Sequence, residues 1–392
     1  VVLPNIIAGL LTIPLLYHLV KKYFGTEAGL LAALVWTITP VVVATERNNT
    51  MDGLLTFTLL LAAWMFLLAT ERVKLRYLLV GAVLVGLGFN IKMLQAFLPL
   101  PAFYVLYLLG AKTGWGRKLL HLSLATVVLL LVSLAWVVAV DLTPADQRPY
   151  IGSSTNNTVM ELIVGHNGLS RIFGGKGGAS QGTSPAQIAL PQNSPPGGQS
   201  QPGSKVRFSQ ETGTPGIARF FEPPLAKEMS WLLPFACLGL LVALVSAKIH
   251  LPLRSEFHKG VVLWGGWLVT CLVFFSVAAF FHAYYMIMLA LALGAVVGMG
   301  VAALRRLGRD RPNWAVWLLV TGAALTLVFQ FLLAVQFEAV MGWMVVPVFL
   351  FAVGGLAFLV PQTRWVTVRV VFLAMLVIPL GWSVLTDRKS VV

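Results

Sequence analysis

Apolar stretches of about 18 residues or more, nearly free of charge, recur along this chain, and each is long enough to cross a hydrocarbon core of about 30 Å as a helix. They show no strict alternation of apolar and polar positions, which argues against a transmembrane β-barrel. The pattern predicts an all-α polytopic membrane protein with twelve spans, near residues 4–20, 27–45, 51–70, 76–92, 94–110, 118–140, 229–247, 259–281, 283–303, 314–335, 341–360 and 364–386. Three organisational blocks follow: N-terminal transmembrane helices over 1–140, a long polar connection over 141–228, and C-terminal transmembrane helices over 229–386 with a short tail at 387–392.

Between the second and third spans the chain reads ERNNTMD, with Glu46, Arg47, Asn49 and Asp52 set between apolar runs. Such a cluster is either a loop dipping into water or part of a site. Charge along the chain bears on the choice. Seventeen of the 28 basic residues fall in alternate connections, from Lys21 and Lys22 through the Arg305, Arg306, Arg309 and Arg311 group to Arg364 and Arg369. By the positive-inside rule those connections are cytoplasmic. The short connections of the other face hold only Arg47 and Lys92, while most acids collect on that outer face. Both ends of the chain then lie outside, and one further span is expected before residue 1, with a truncated outer region after 386.

The 141–228 segment is the only extended polar region. Its middle, 173–205, is rich in Gly, Ser, Gln and Pro and is expected to be flexible, because it cannot bury enough apolar surface to offset the entropy of ordering. Its edges hold turn residues, Tyr150, a short amphipathic stretch and the His166-Asn167 turn on one side, and a return into the membrane at Trp231, read as an interface residue, on the other. Two ordered shoulders around a loose insert either cover a site opening outward or merely connect.

Composition sharpens the class. Of 392 residues, 58% are hydrophobic and 11% charged, against about a quarter charged in soluble domains. The net charge of +14 would suggest nucleic acid on a soluble chain; here cytoplasmic loops account for it and no nucleic-acid partner is expected. Cys237 and Cys271 lie in apolar runs and read as small buried hydrophobes. There is no P-loop, no HExxH and no CxxC pair. The glycines of GAVLVGLG and GAVVGMG read as helix-packing faces.

Three outer connections concentrate polar groups: ERNNTMD, GFNIKMLQ with Asn90, Lys92 and Gln95, and FFHAYYMIM with His282, Tyr284 and Tyr285. Taken singly, each residue has an ordinary reading. The tyrosines fit an aromatic belt, Lys92 can snorkel, His282 can cap a helix, and Arg47 and Asp52 can pair at a helix end. Taken together, two cations and a histidine that face outward against the charge rule point to a bound anion. Phosphate fits, since such groups donate charge-assisted hydrogen bonds to its oxygens.

The stretches LLYHLVKKYFGTEAGLLAALVWTITPVVVATERNNTMDGLL, QRPYIGSSTNNTVMELIVGHNGLSRI, SWLLP and FHAYYMIMLALA together resemble the GT-C membrane glycosyltransferases of the protein O-mannosyltransferase and lipid A aminoarabinose transferase (ArnT-like) type, in their bacterial mannosyltransferase-like branch. The resemblance implies thirteen spans and transfer of a sugar from a polyprenyl-phosphate donor to an acceptor hydroxyl on the outer face of a bacterial plasma membrane, with inversion and release of polyprenyl phosphate. It implies Asp52 as a second acidic residue, the principal catalytic Asp being expected in a first outer loop absent from this chain. It implies Arg47, Lys92, His282, Tyr284 and Tyr285 as donor-phosphate residues, with possible contacts from Glu46, Asn49, Tyr150, His166 and Asn167. One departure concerns Lys92: the family often has Lys-Gly where this chain has Lys-Met. The acceptor is a glycan, lipid or protein, membrane lipids are partners, no cofactor is expected, and a divalent metal stays open.

The rival class is a transporter or flippase for a lipid-linked or anionic solute. It predicts internal repeats, Gly/Pro-broken helices and charge at the bilayer midplane; the sequence shows no repeat and almost no mid-membrane charge.

Overall fold

The computed structural model describes residues 2–165, 212–247, 251–253, 255–279, 281–337, 342–358, 360 and 364–389. The insert expected at 173–205, with His166 and Asn167, lies outside the described residues. Those described form helices and turns, with no strand among them.

Up to the long connection the helices are α1 (Leu3–Phe24), α2 (Thr26–Ile38), α3 (Pro40–Arg47), α4 (Asp52–Arg72), α5 (Leu75–Lys92), α6 (Leu100–Gly110), α7 (Trp115–Asp141) and the short α8 (Val159–Val164). Beyond it come α9 (Ala226–Ala247), α10 (Glu256–Val277), α11 (Ile287–Asp310), α12 (Pro312–Gln336), α13 (Val345–Phe358) and α14 (Arg364–Lys389). Among the described residues nine helices are long and apolar enough to cross a membrane, or ten if the α2–α3 pair counts as one broken span.

Three expected spans differ in detail, each for a local reason. The 27–45 span is bent by 60° between Ile38 and Pro40, because the residue before a proline is driven out of the helical region; Thr39 is extended at φ −79°, ψ 122°. The 94–110 span is a 3-10 turn, Met93–Phe97, followed by an eleven-residue helix that starts beside Pro99. The tail expected from 387 continues α14 as far as Lys389.

The α11 helix is the axis of the bundle, with 94% of its apolar window buried. Glycines set the close approach there. A Cβ on Gly298 would stand 2.3 Å from the Ala28 carbonyl of α2, and one on Gly300 would stand 2.8 Å from the Cα of Gly239 on α9. The small-residue stripe is thus a packing face, the usual device where lipid removes the hydrophobic drive between helices. Several buried hydroxyls inside the helices are satisfied locally: Thr12, Thr56, Thr70 and Thr326 each donate to the carbonyl four residues earlier. Buried Gln330 donates to Trp231 O and Met375 O, both at 2.9 Å, tying α12 to α9 and α14. Trp231 is 2% exposed and packs on Trp382, so it is an inter-helix residue rather than an exposed interface anchor. Cys271 is buried, Cys237 is half-buried, and both are free.

The two ends of the bundle differ. Lys22, Tyr23 and Glu71 meet at the far ends of α1 and α4, and Arg305 pairs with Glu27. At the opposite end, where α3 turns into α4, stand Arg47 and Asp52.

Candidate functional site

Helix geometry brings the principal pair together. The α4 and α5 helices form a hairpin of 21 and 18 residues. At 1.5 Å per residue they are of similar length, so the end of α5 returns to the start of α4. Asp52 opens α4, where the amide ends favour an anion, and Lys92 closes α5, where the carbonyl ends favour a cation. Lys92 Nζ lies 2.5 Å from both Asp52 Oδ1 and Oδ2. The carboxylate side chain is 1% exposed and the ammonium side chain 14%. Gln95 Nε2 donates to Asp52 Oδ1 at 3.4 Å from the 3-10 turn after Lys92.

That turn depends on one unusual residue. Met93 sits at φ 45°, ψ −134°, which costs a side-chain-bearing residue free energy and suits glycine. A glycine here, as the resemblance implies, would adopt this backbone without that cost; this chain adopts it with methionine.

Aromatic rings cover the other side of the ammonium. Lys92 Nζ stands 3.7 Å from the centroid of Tyr285 and 4.7 Å from that of Tyr284, within cation–π range. His282 stacks on Tyr284 at 5.2 Å with planes 7° apart. His282 is the N-cap residue of the 3-10 turn Ala283–Met286, but its side chain makes no capping hydrogen bond; its ring packs on both tyrosines.

The α3–α4 turn is fastened to α1. Asn5, a lone polar residue near the start of that helix, donates to the carbonyls of Thr50 and Asn48. Arg47 and Asn49 are exposed on the turn, whereas both Glu46 carboxylate oxygens are buried. Thus the structure gathers Asp52, Lys92, Gln95, His282, Tyr284 and Tyr285, with Arg47, Glu46 and Asn49 on the adjoining turn. Tyr150 is 87% exposed on the connection after α7, and no described contact joins it to the Lys92 cluster. Asn90 donates to Gly86 O and Val132 O, a structural tie from α5 to α7.

Two shoulders of the long connection are built from side-chain caps. Asp141 accepts from the amides of Val159 and Met160 at 2.7 and 3.0 Å, Thr158 caps α8 through Glu161 N, and Arg148 donates to the carbonyls of Asp141, Thr143 and Asn157. On the other side Arg219, 2% exposed, donates to Phe275 O and Ala278 O at 2.9 Å and lies over the Phe281 ring. It fixes the chain just ahead of His282. Sequence reasoning passed over Arg219 and Asn5, since each is a single polar residue whose partners are main-chain atoms.

Comparison with known proteins adds three findings. Residues 1–136 match the family described as dolichyl-phosphate-mannose-protein mannosyltransferase. "Putative mannosyltransferase YkcB" of Bacillus subtilis (strain 168) is 35% identical over 98% of this chain and 63% of its own length, and "Putative mannosyltransferase YycA" of the same organism is 34% identical over 88% and 58%. The chain therefore spans about three-fifths of these relatives. Crystal structures of ArnT from Cupriavidus metallidurans, bound to undecaprenyl phosphate and in the apo state, superimpose with TM-scores of 0.54 and 0.53 at 18% and 19% identity, covering all of this chain and 63% of theirs. At that identity the likeness is one of fold.

Proposed function

Starting from a chain that is ArnT-like in fold and similar throughout to mannosyltransferases of the GT-C type, we propose that it is part of a membrane glycosyltransferase that takes a sugar from a polyprenyl-phosphate donor. The observation that carries the reading is the buried Asp52–Lys92 pair capped by Tyr285, beside exposed Arg47 and stacked His282, at one end of an apolar bundle. A donor of this kind keeps its phosphate at the leaflet surface while its tail stays in lipid. The charge rule supports placing that end of the bundle on the non-cytoplasmic face.

In this reaction the acceptor hydroxyl oxygen attacks the anomeric carbon from the side opposite the phosphate. The carbon–oxygen bond to phosphate breaks, the configuration inverts, the bond pair leaves on polyprenyl phosphate, and a carboxylate base takes the hydroxyl proton. The residues of this chain serve the leaving group. Asp52 holds the Lys92 ammonium in place, and because that pair is neutral, Arg47 supplies the net positive charge, with His282 as a further hydrogen-bond donor, that stabilises the departing phosphate.

The test uses the protein expressed from its complete gene. Purified protein is given radiolabelled polyprenyl-phosphate sugars, and release of free polyprenyl phosphate is followed. Release by the wild type, lost in Arg47→Ala and Lys92→Gln, supports the transferase. No turnover of any donor, together with labelled lipid crossing vesicle bilayers, would overturn it in favour of a flippase.

A further inference from the structure

A buried carboxyl without a partner adjoins the site. Neither oxygen of Glu46 has a hydrogen-bond partner among the described residues. Two glycines make room for it: a Cβ on Gly9 of α1 would stand 2.6 Å from Glu46 Cδ, and one on Gly53 of α4 would stand 2.4 Å from Oε2. Gly53 directly follows Asp52, so the carboxyl lies against the first turn of α4.

It is one of several unsatisfied groups here. The Thr45 hydroxyl and the Gln95 amide oxygen, on residues 1% and 9% exposed, also lack partners among the described residues, while the Gln95 amide nitrogen is engaged by Asp52. A buried acceptor left unmade costs free energy that an apolar side chain of the same shape would not. The position instead holds a carboxyl, and two helices give up side chains to seat it. The Lys92 ammonium is already matched by Asp52. What this side lacks is hydrogen-bond donors, and a ligand rich in hydroxyl groups supplies them. A metal ion is a poorer fit, since no group of three His, Cys, Asp or Glu residues is gathered among the described residues.

We propose that Glu46 is a sugar-binding element of the site: its carboxyl accepts hydrogen bonds from the hydroxyl groups of the sugar carried on the donor phosphate. The inference rests on the transferase reading above and assigns the sugar to the Gly9–Gly53 side of the α3–α4 turn, with the phosphate on the Arg47 side.

Binding without turnover tests it. The complete protein in lipid nanodiscs is titrated with bare polyprenyl phosphate and with polyprenyl-phosphate hexose, as wild type, Glu46→Ala, Glu46→Gln and Gly53→Ala. Glu46→Ala should weaken the sugar-bearing lipid about three- to tenfold, the worth of one hydrogen bond, and leave the bare lipid unchanged. Gly53→Ala, whose methyl group displaces the carboxyl, should show the same selective loss. Glu46→Gln keeps an acceptor oxygen and should lose less; it also serves if the alanine variant fails to fold. Equal weakening of both lipids would make Glu46 a structural prop, and no weakening of either would make it irrelevant; each overturns the inference. Selective loss without any release of polyprenyl phosphate would sink the transferase reading alone, and a wild type that binds neither lipid would sink both.

Discussion

Lys92 ends α5 where Asp52 begins α4, and one ammonium nitrogen lies 2.5 Å from both carboxylate oxygens across 40 residues of sequence. A pair this buried is costly to break from one side, because the remaining charge is left out of water without its counter-ion. Lys92→Met should therefore destabilise the protein by about 3–5 kcal/mol. Asp52→Asn should cost less, since the amide keeps an oxygen for the ammonium. The Lys92→Met/Asp52→Leu double variant should recover most of the loss. Thermal unfolding in detergent read as a double-mutant cycle decides it; additive losses would show that the two residues act apart.

Met93 offers a second check, of opposite sign. Its φ of 45° is one that glycine adopts freely and a side chain does not. Met93→Gly should leave the Lys92 turn in place and raise stability by about 1 kcal/mol, the low end of the cost of a strained backbone. A lower melting temperature would mean that methionine packing outweighs the strain.

These two residues also mark what the sequence could show. Lys92 stood out as a cation on the face that should lack one, and the Lys-Met departure from what the resemblance implies was visible. That methionine accepts the glycine-like backbone there was not, because a dihedral angle leaves no mark in composition. The helices were legible because each apolar window is long and uncharged, and even the α2–α3 bend had its sign in Pro40. The Lys92–Asp52 contact was not legible: local spacing pointed Asp52 at Arg47, five residues away, and only the matched lengths of α4 and α5 bring residue 92 back to residue 52. Glu46 read only as one possible site contact among several, since nothing local reveals that Gly9, 37 positions earlier, has made a slot for it.

Arg219 predicts a coupling between the long connection and the site. Its guanidinium satisfies the carbonyls of Phe275 and Ala278 as well as those of Thr214 and Gly213. Arg219→Met keeps much of the apolar contact with Phe281 but leaves buried carbonyls unpaired, at about 1–3 kcal/mol each. Amide hydrogen exchange should rise from residue 213 to residue 221 and at the end of α10, and Gly216 N, which donates to Ser276 O, should lose protection. Because His282 follows Ala278 by four residues, the stack on Tyr284 should loosen as well. Unchanged exchange at 275–286 would show that the shoulder and the site move independently.

Glu161 makes the opposite shoulder sensitive to acid. Its carboxylate accepts from the Thr155 hydroxyl and from the amides of Asn156 and Thr155 at 2.5, 2.9 and 2.8 Å. The Thr155 side chain first, then the Asn156 amide, hold its pKa below the usual carboxylate range. A carboxyl with a depressed folded value contributes stability that is complete above its unfolded value and is lost as pH falls through the folded one. Lowering the pH from about 7 to about 3 should therefore leave the 155–161 turn intact at first and open it only below the ordinary glutamate range near about 4.3. Exchange-rate profiles of the Thr155 and Asn156 amides, corrected for intrinsic acid dependence, read this directly. In Glu161→Gln the turn should be weaker at neutral pH and show no such transition; a transition that persists in that variant would assign the acid response to another carboxylate, with Asp141, which caps the start of α8, the first to examine.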